Sequence, residues 1–205
     1  MSRPVVEVFA DVACPFAHVG LRRVVRRRVE LGVATPVLRV RAWPLELVNG
    51  VPLDPASVAR HVAEIREQVE PGLFRGFDPA RFPRSSLPAL ALTAHAYTAG
   101  DETGEQMSLA LRDALFEEGA DIADRQVLSD FAARFGLTAP GPTAEEAVLA
   151  DLAEGRRRGV LGSPEFFLGE HGYFCPALSI SSEGGHLVIV ANPAVFDEFL
   201  DRCFA

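Results

Sequence analysis

Val5-Val6-Glu7-Val8-Phe9-Ala10-Asp11-Val12-Ala13-Cys14-Pro15-Phe16-Ala17-His18-Val19-Gly20 is the stretch that decides the fold. Its first six residues are β-branched and almost wholly apolar. That pattern fits a buried strand of a parallel or mixed sheet. Asp11 to Pro15 reads as a turn. Beyond it Leu21, Val24, Val25 and Val29 recur at helical spacing, with Arg22, Arg23, Arg26, Arg27 and Arg28 between them and Gly32 as the stop. Residues 37–43 alternate in part, through Leu38, Val40 and Ala42, and read as a second strand. Strand, helix, strand in this order predicts a right-handed crossover between parallel strands.

Working outward, residues 44–55 form a loop carrying Asn49-Gly50. The spacing then predicts helices over 55–69, 87–99, 106–118, 126–135 and 143–158, with a loop rich in Gly, Pro and Phe over 71–85. Asp124 is placed to cap one helix that Gly136 ends. The 143–158 helix is acidic in its first turn and basic in its last, as the helix dipole favours. Strand character returns at 164–168, 177–182 and 187–191, with Glu183-Gly184-Gly185 as a hairpin turn. Asn192 is placed to cap a last helix over 193–203, which has Pro at its first position. The expectation is one discontinuous α/β sheet domain, residues 1–53 and 159–205, interrupted by a helical insertion over 54–158.

Composition narrows the function. The chain has 205 residues, 48% hydrophobic and 23% charged, which excludes disorder as its global state. A net charge of −8 argues against a nucleic-acid partner. All 20 basic residues are Arg, so lysine Schiff-base chemistry and a phosphate loop ending in Lys are excluded. The apolar runs fall far short of the ~20 residues of a membrane helix, so no membrane partner is expected. The N-terminal residues carry no apolar signal core, so a cytoplasmic protein is expected. The three cysteines, Cys14, Cys175 and Cys203, suggest neither a disulfide framework nor zinc-knuckle spacing. No metal is expected, although the five scattered His residues leave open a site assembled from distant parts.

Cys14 lies between a buried strand and a helix that starts almost at once. Unpaired N–H groups and the positive dipole end at a helix start favour a thiolate. Pro15 suits the first turn because its missing N–H has no partner to lose. The competing reading of Cys14 is inert packing. Gly162-Ser163-Pro164 precedes the late strand, and an ordinary trans turn is its default.

This layout resembles the DsbA-like branch of the thioredoxin fold. Residues 8–20 (VFADVACPFAHVG) resemble the active-site segment of the FrnE-like subgroup. Residues 43–47 (WPLEL), 85–96 (SSLPALALTAHA), 114–137 (ALFEEGADIADRQVLSDFAARFGL) and 159–167 (GVLGSPEFF) resemble further segments, which together, in order, span about four-fifths of the chain. The resemblance implies an α/β, thioredoxin-like mixed sheet with a large all-helical insertion. It implies that Cys14 is the nucleophile, that Pro15 and Phe16 are the variable pair tuning it, and that Pro164 is a cis-proline facing it. Ser163 would supply the backbone that pairs with a bound peptide or thiol cofactor.

One departure matters. The family's second cysteine falls at Ala17, so no dithiol cycle exists inside the motif, and another thiol must release a mixed disulfide at Cys14. That suggests monothiol chemistry with glutathione or a similar small thiol, and no tightly bound cofactor. Residues 173–180 (YFCPALSI) depart from the family ending and contain a second Cys-Pro. Cys175 either approaches Cys14 as a second thiol or is a buried strand residue. Cys203 reads as core filler. His18 either lowers the thiol pKa and shuttles a proton or faces solvent. Asp11 is either a buried acid near the thiol or a turn cap. The Arg22–Arg28 cluster binds an anionic cofactor or is a solvated face. His95 is a ligand or a satisfied core residue. Phe74, Phe77 and Phe82 line a cleft or fill the core.

Three functions follow. The first is a thiol–disulfide oxidoreductase acting on a disulfide-containing protein or small molecule. The second is a thiol-cofactor-dependent isomerase or transferase, resembling 2-hydroxychromene-2-carboxylate isomerase and the kappa glutathione transferases, which activate the cofactor thiol from a Ser where this chain has Cys14. The third is a non-catalytic peptide-binding member. A monomer or homodimer is expected.

Overall fold

The computed structural model describes residues 5–183 and 186–204. Strand β1 (Val5–Ala10) is the centre of the main sheet. It pairs in parallel with β2 (Val37–Ala42), placing Val8 beside Val40, and antiparallel with β3 (Glu165–Leu168), placing Val8 beside Phe166. β4 (His171–Phe174) adds antiparallel to β3, giving the order β2-β1-β3-β4. Helix α1 (Pro15–Glu30) is the crossover between β1 and β2. Alternation along β1 sets the two faces of the sheet. Val6, Val8 and Ala10 join the main core, while Phe9 joins Trp43, Leu152 and Phe167 in a second cluster.

The segment between β2 and β3 is helical. It contains α2 (Leu45–Asn49), α3 (Pro55–Gln68), a 3-10 turn (Pro79–Arg81), α4 (Leu87–Thr98), α5 (Asp101–Phe116), α6 (Arg125–Arg134) and α7 (Pro142–Arg158). These helices are not held off from the sheet: α5 and α7 both contact β2. The Tyr97 hydroxyl on α4 donates to the Leu38 carbonyl (2.9 Å) and accepts from the Val40 N–H (2.7 Å), closing the edge strand. α7 lies against Trp43 so closely that a Cβ on Gly155 would stand 2.5 Å from the indole. Only glycine permits that approach.

Several boundaries differ from the sequence reading. β4 was not expected; it is a four-residue edge strand containing Gly172, too short and too polar to show a period. α2 occupies the expected loop and ends in the left-handed Gly50. α5 starts at Asp101 rather than 106, because Asp101 and Glu102 suit a first helical turn. β5 (Leu178–Glu183) and β6 (His186–Ala191) pair with each other as a separate two-stranded sheet instead of extending the main one. Within that hairpin, Gln68 of α3 accepts from the Ile189 N–H at 2.9 Å. The expected turn residues Gly184 and Gly185 lie outside the described residues. Helix α8 (Pro193–Phe204) buries Phe196, Phe199, Leu200 and Cys203, with Phe199 packed on Phe166 at 5.1 Å. No helix among the described residues is long and apolar enough to cross a membrane.

Candidate active site

The turn after β1 is built around Asp11. Its carboxylate accepts from the N–H of Ala13 (2.8 Å) and of Leu45 (2.7 Å) and from the Ser86 hydroxyl (3.0 Å). Its N–H donates to Ser163 Oγ at 3.0 Å. Its carbonyl accepts from the Cys14 N–H (3.3 Å) and from Arg112 Nη2 (3.1 Å). One residue thus ties β1 to α2, α4, α5 and the loop before β3. Asp11 is fully buried, and burial pushes its carboxyl above the usual range against the pull of those hydrogen bonds and of Arg112. It is therefore both the turn cap and a buried acid beneath the thiol-bearing turn.

Cys14 is the N-cap residue of α1, and Pro15 follows in the first turn. Its Sγ donates to the Ser163 carbonyl at 3.2 Å. The Ser163–Pro164 peptide bond is cis, as the family resemblance implied, and so is Thr35–Pro36, which sequence reading did not single out. The expected electrostatics need correction. Cys14 is only 3% exposed, and burial pushes its pKa up. Contacts with Ser163 and with the amides of Ala17 and Phe16 pull it down, as a helix start should, but the Asp11 charge opposes them and desolvation wins. The resting thiol is protonated.

Arg112 was missed from the sequence. It is 1% exposed and donates through Nη1 to Ser108, one turn earlier on α5, and through Nη2 to the carbonyl that also holds the Cys14 N–H. Burial pushes the guanidinium down to about 10, while the charge of Asp11 favours its cationic form. Its Nε has no partner among the described residues. The available signal was a charged residue inside the apolar run Leu111, Leu115, Phe116. Glu46 was also missed: its Oε1 accepts from Ser85 Oγ (2.8 Å) and the Ser86 N–H (2.9 Å), docking the start of α4 beside the Asp11 turn.

His18 is neither solvent-facing nor hydrogen-bonded to the thiol. Its ring is buried between Phe74 (5.3 Å) and Phe116 (5.1 Å), with Nε2 2.8 Å from Glu117 Oε1. Burial lowers its pKa despite Glu117, so the neutral Nε2–H tautomer donates to the carboxylate. Nδ1 is then a bare acceptor in an apolar pocket, with no partner among the described residues. Glu117 also accepts from the N–H groups of Phe74 (2.8 Å) and Arg75 (3.1 Å). Desolvation would raise Glu117, but these three hydrogen bonds hold it down to about 2. His18 therefore fastens α1 to the 71–85 loop.

Other expectations resolve similarly. Phe74 and Phe82 are buried and Phe77 packs on Phe82 and Phe116, so the three fill core instead of lining a cleft. Three arginines of α1 are ion-paired across elements, Arg22 with Asp113, Arg23 with Glu70 and Arg28 with Glu105. His95 is half-buried in the last turn of α4. Ala17 is fully buried, and Phe16 is half-buried with its ring 5.5 Å from His61 of α3. Cys203 is buried on α8, and burial pushes it up to about 12. Cys175 comes to the site: its N–H donates to the Pro164 carbonyl at 2.9 Å. Among the described residues no cluster of three His, Cys, Asp or Glu could hold a metal ion.

A cysteine at the N-cap position of a helix, hydrogen-bonded to the residue before a cis-proline that leads into the neighbouring strand, defines a thioredoxin-fold site. Residues 5–181 match the DSBA-like thioredoxin domain, and the chain belongs to that family. Among solved structures it is similar to a 2-hydroxychromene-2-carboxylate isomerase (TM-score 0.60, 15% identity, 83% of this chain and 88% of that one). It is also similar to the cytosolic disulfide reductase DsbM from Pseudomonas aeruginosa (TM-score 0.53, 20% identity, 96% and 97%). The same reductase with GSH gives TM-score 0.54 at 19% identity over 82% and 88%. At these identities the likeness is one of fold. No curated protein matches the sequence significantly.

Proposed function

We propose that the protein catalyses thiol–disulfide exchange with Cys14 as its nucleophile. The observation that carries this reading is the placement of Cys14 Sγ at the start of α1, 3.2 Å from the Ser163 carbonyl. A disulfide partner lying along Ser163 takes over that carbonyl and frees the thiol. The Cys14 sulfur attacks one sulfur of the partner, forming Cys14–S–S–R. The departing thiolate takes the proton that Cys14 gives up. With Ala17 in the motif's second position, a small thiol such as glutathione completes the exchange, attacking the mixed disulfide and returning Cys14 to the thiol.

The direction follows from the buried thiol. A strongly stabilised thiolate makes a good leaving group and hence an oxidant. Cys14 is pushed the other way, which favours reduction or isomerisation of disulfides. A reducing, cytoplasmic setting supplies the thiols this cycle consumes. The similar fold of a cytosolic disulfide reductase, also solved with GSH, supports that choice. The test is intact-mass analysis of the reduced protein after addition of oxidised glutathione. An adduct on Cys14, absent in Cys14→Ser, supports the reading; a protein that stays unmodified overturns it.

A second reading is favoured by the same protonated thiol. Cys14 S–H donates a hydrogen bond as a serine hydroxyl does, so it is suited to hold a cofactor thiol in a glutathione-dependent isomerase. Saturable, reversible glutathione binding without an adduct would favour this alternative.

A further inference from the structure

Position 17 offers no second thiol, yet the fold brings one to the site from the other end of the chain. Cys14 Sγ is held on the carbonyl of Ser163 at 3.2 Å, and the Cys175 N–H on the carbonyl of Pro164 at 2.9 Å. The two cysteines are thus fastened to consecutive carbonyls of one segment. Cys175 opens a tight turn in which the Leu178 N–H donates back to the Cys175 carbonyl at 3.1 Å. That turn is clamped to α1, the helix Cys14 caps, because Arg23 Nη1 donates to the Ala177 carbonyl at 3.0 Å. Cys175 adopts φ +41 immediately before Pro176. A proline pushes the residue before it to extended backbone, and positive φ is uncommon for any residue but glycine. Glycine or asparagine would suit the position better than cysteine, so the backbone gives no reason for a thiol there.

We propose that Cys175 is the resolving thiol of this site. The proposal rests on the reading of Cys14 as nucleophile. In the first step Cys14 forms a mixed disulfide with the partner. In the second the Cys175 sulfur attacks Cys14 Sγ, the bond to the partner breaks, and a Cys14–Cys175 disulfide forms. The proton of Cys175 leaves with the partner's thiol. Two molecules of a small thiol then reduce the intramolecular disulfide to two cysteines and become one oxidised dimer. Over the cycle one partner disulfide is reduced and one small-molecule disulfide is made.

Burial pushes the Cys175 thiol up to about 12, so Cys175 rests protonated and gives up its proton only as its sulfur attacks.

The test compares the Cys203→Ala protein with the same protein carrying Cys175→Ser, each reduced and then given oxidised glutathione. Cys203 lies outside this chemistry, and its removal leaves two thiols to follow. Mass spectrometry over time reads the Cys14–glutathione adduct and the peptide joined through Cys14 and Cys175. The expected result is a transient adduct that gives way to the joined peptide, and an adduct lasting more than about tenfold longer when Cys175 is absent. Cys175→Gly, which suits the left-handed backbone, guards against a folding failure of the Ser variant. A bridge needs the two Cα atoms within about 7 Å, so the joined peptide reports directly on reach. An adduct equally long-lived in both proteins, with no joined peptide, overturns the proposal and leaves Cys14 as nucleophile. No adduct and no joined peptide in either protein overturns both readings.

Discussion

Glu117→Gln and Glu117→Ala test how the thiol-bearing helix is fastened to the rest of the fold. In the alanine variant, His18 Nε2–H and the Phe74 N–H lose their acceptor in a buried pocket, whereas the exposed Arg75 N–H is taken over by water. A buried donor without a partner costs about 1–3 kcal/mol, so the loss is about 3 kcal/mol for the pair. For a chain of this size that is a fall in Tm of about 6–12 °C. The pH dependence gives the sharper check. Glu117 sits at about 2 in the folded protein against an ordinary 4.5, so its contribution is complete above about pH 4.5 and is lost as pH falls from there toward 2. His18 is also depressed, so the unfolded chain binds its proton first and stability falls as pH drops through about 6.5. Both groups steepen the acid limb. With 22% of the Glu117 side chain exposed, solvent screening discounts its share to about 2 kcal/mol. Urea unfolding of the parent and Glu117→Gln, at intervals between about pH 7 and pH 3, measures this share directly. The two stabilities should converge as pH falls. Curves that stay parallel over the whole interval would refute the reasoning.

Other outcomes follow from the same site. Arg112→Met removes a buried cation from beneath the Asp11 turn; unfolding free energy should fall by about 3 kcal/mol and Cys14 should titrate higher still, and unchanged values of both would show that the guanidinium does no electrostatic work there. Alkylation of Cys14 in the native protein, followed by peptide mapping across pH, should give an apparent pKa above that of an ordinary cysteine, because burial outweighs the helix start; a poised thiolate near neutrality would contradict this. Gly155→Ala should cost about 1–3 kcal/mol in chemical denaturation, since its Cβ meets the Trp43 ring at 2.5 Å; a neutral result would mean that α7 shifts freely on the sheet.

The sequence alone determined what depends on local order and period. The apolar run of β1, the Cys14-Pro15 start of α1 and the return of strand character after residue 159 are written in neighbouring residues, so the sheet, the crossover and the cysteine at the helix start could be read. The edge strand β4 was too short for a period, and α2 lay in a stretch punctuated as a loop. The chemistry of the site was decided by tertiary structure. Whether Cys14 is a thiolate depends on desolvation by every element packed over it, and the helix start contributes only part of that balance. The direction of the His18 ring was set by Glu117, 99 positions away. Arg112 reaches the Asp11 carbonyl across 101 positions, and Cys175 meets Pro164 only because β4 folds back on β3. Burial and charge are sums over neighbours in space, and a periodicity along the chain does not contain them.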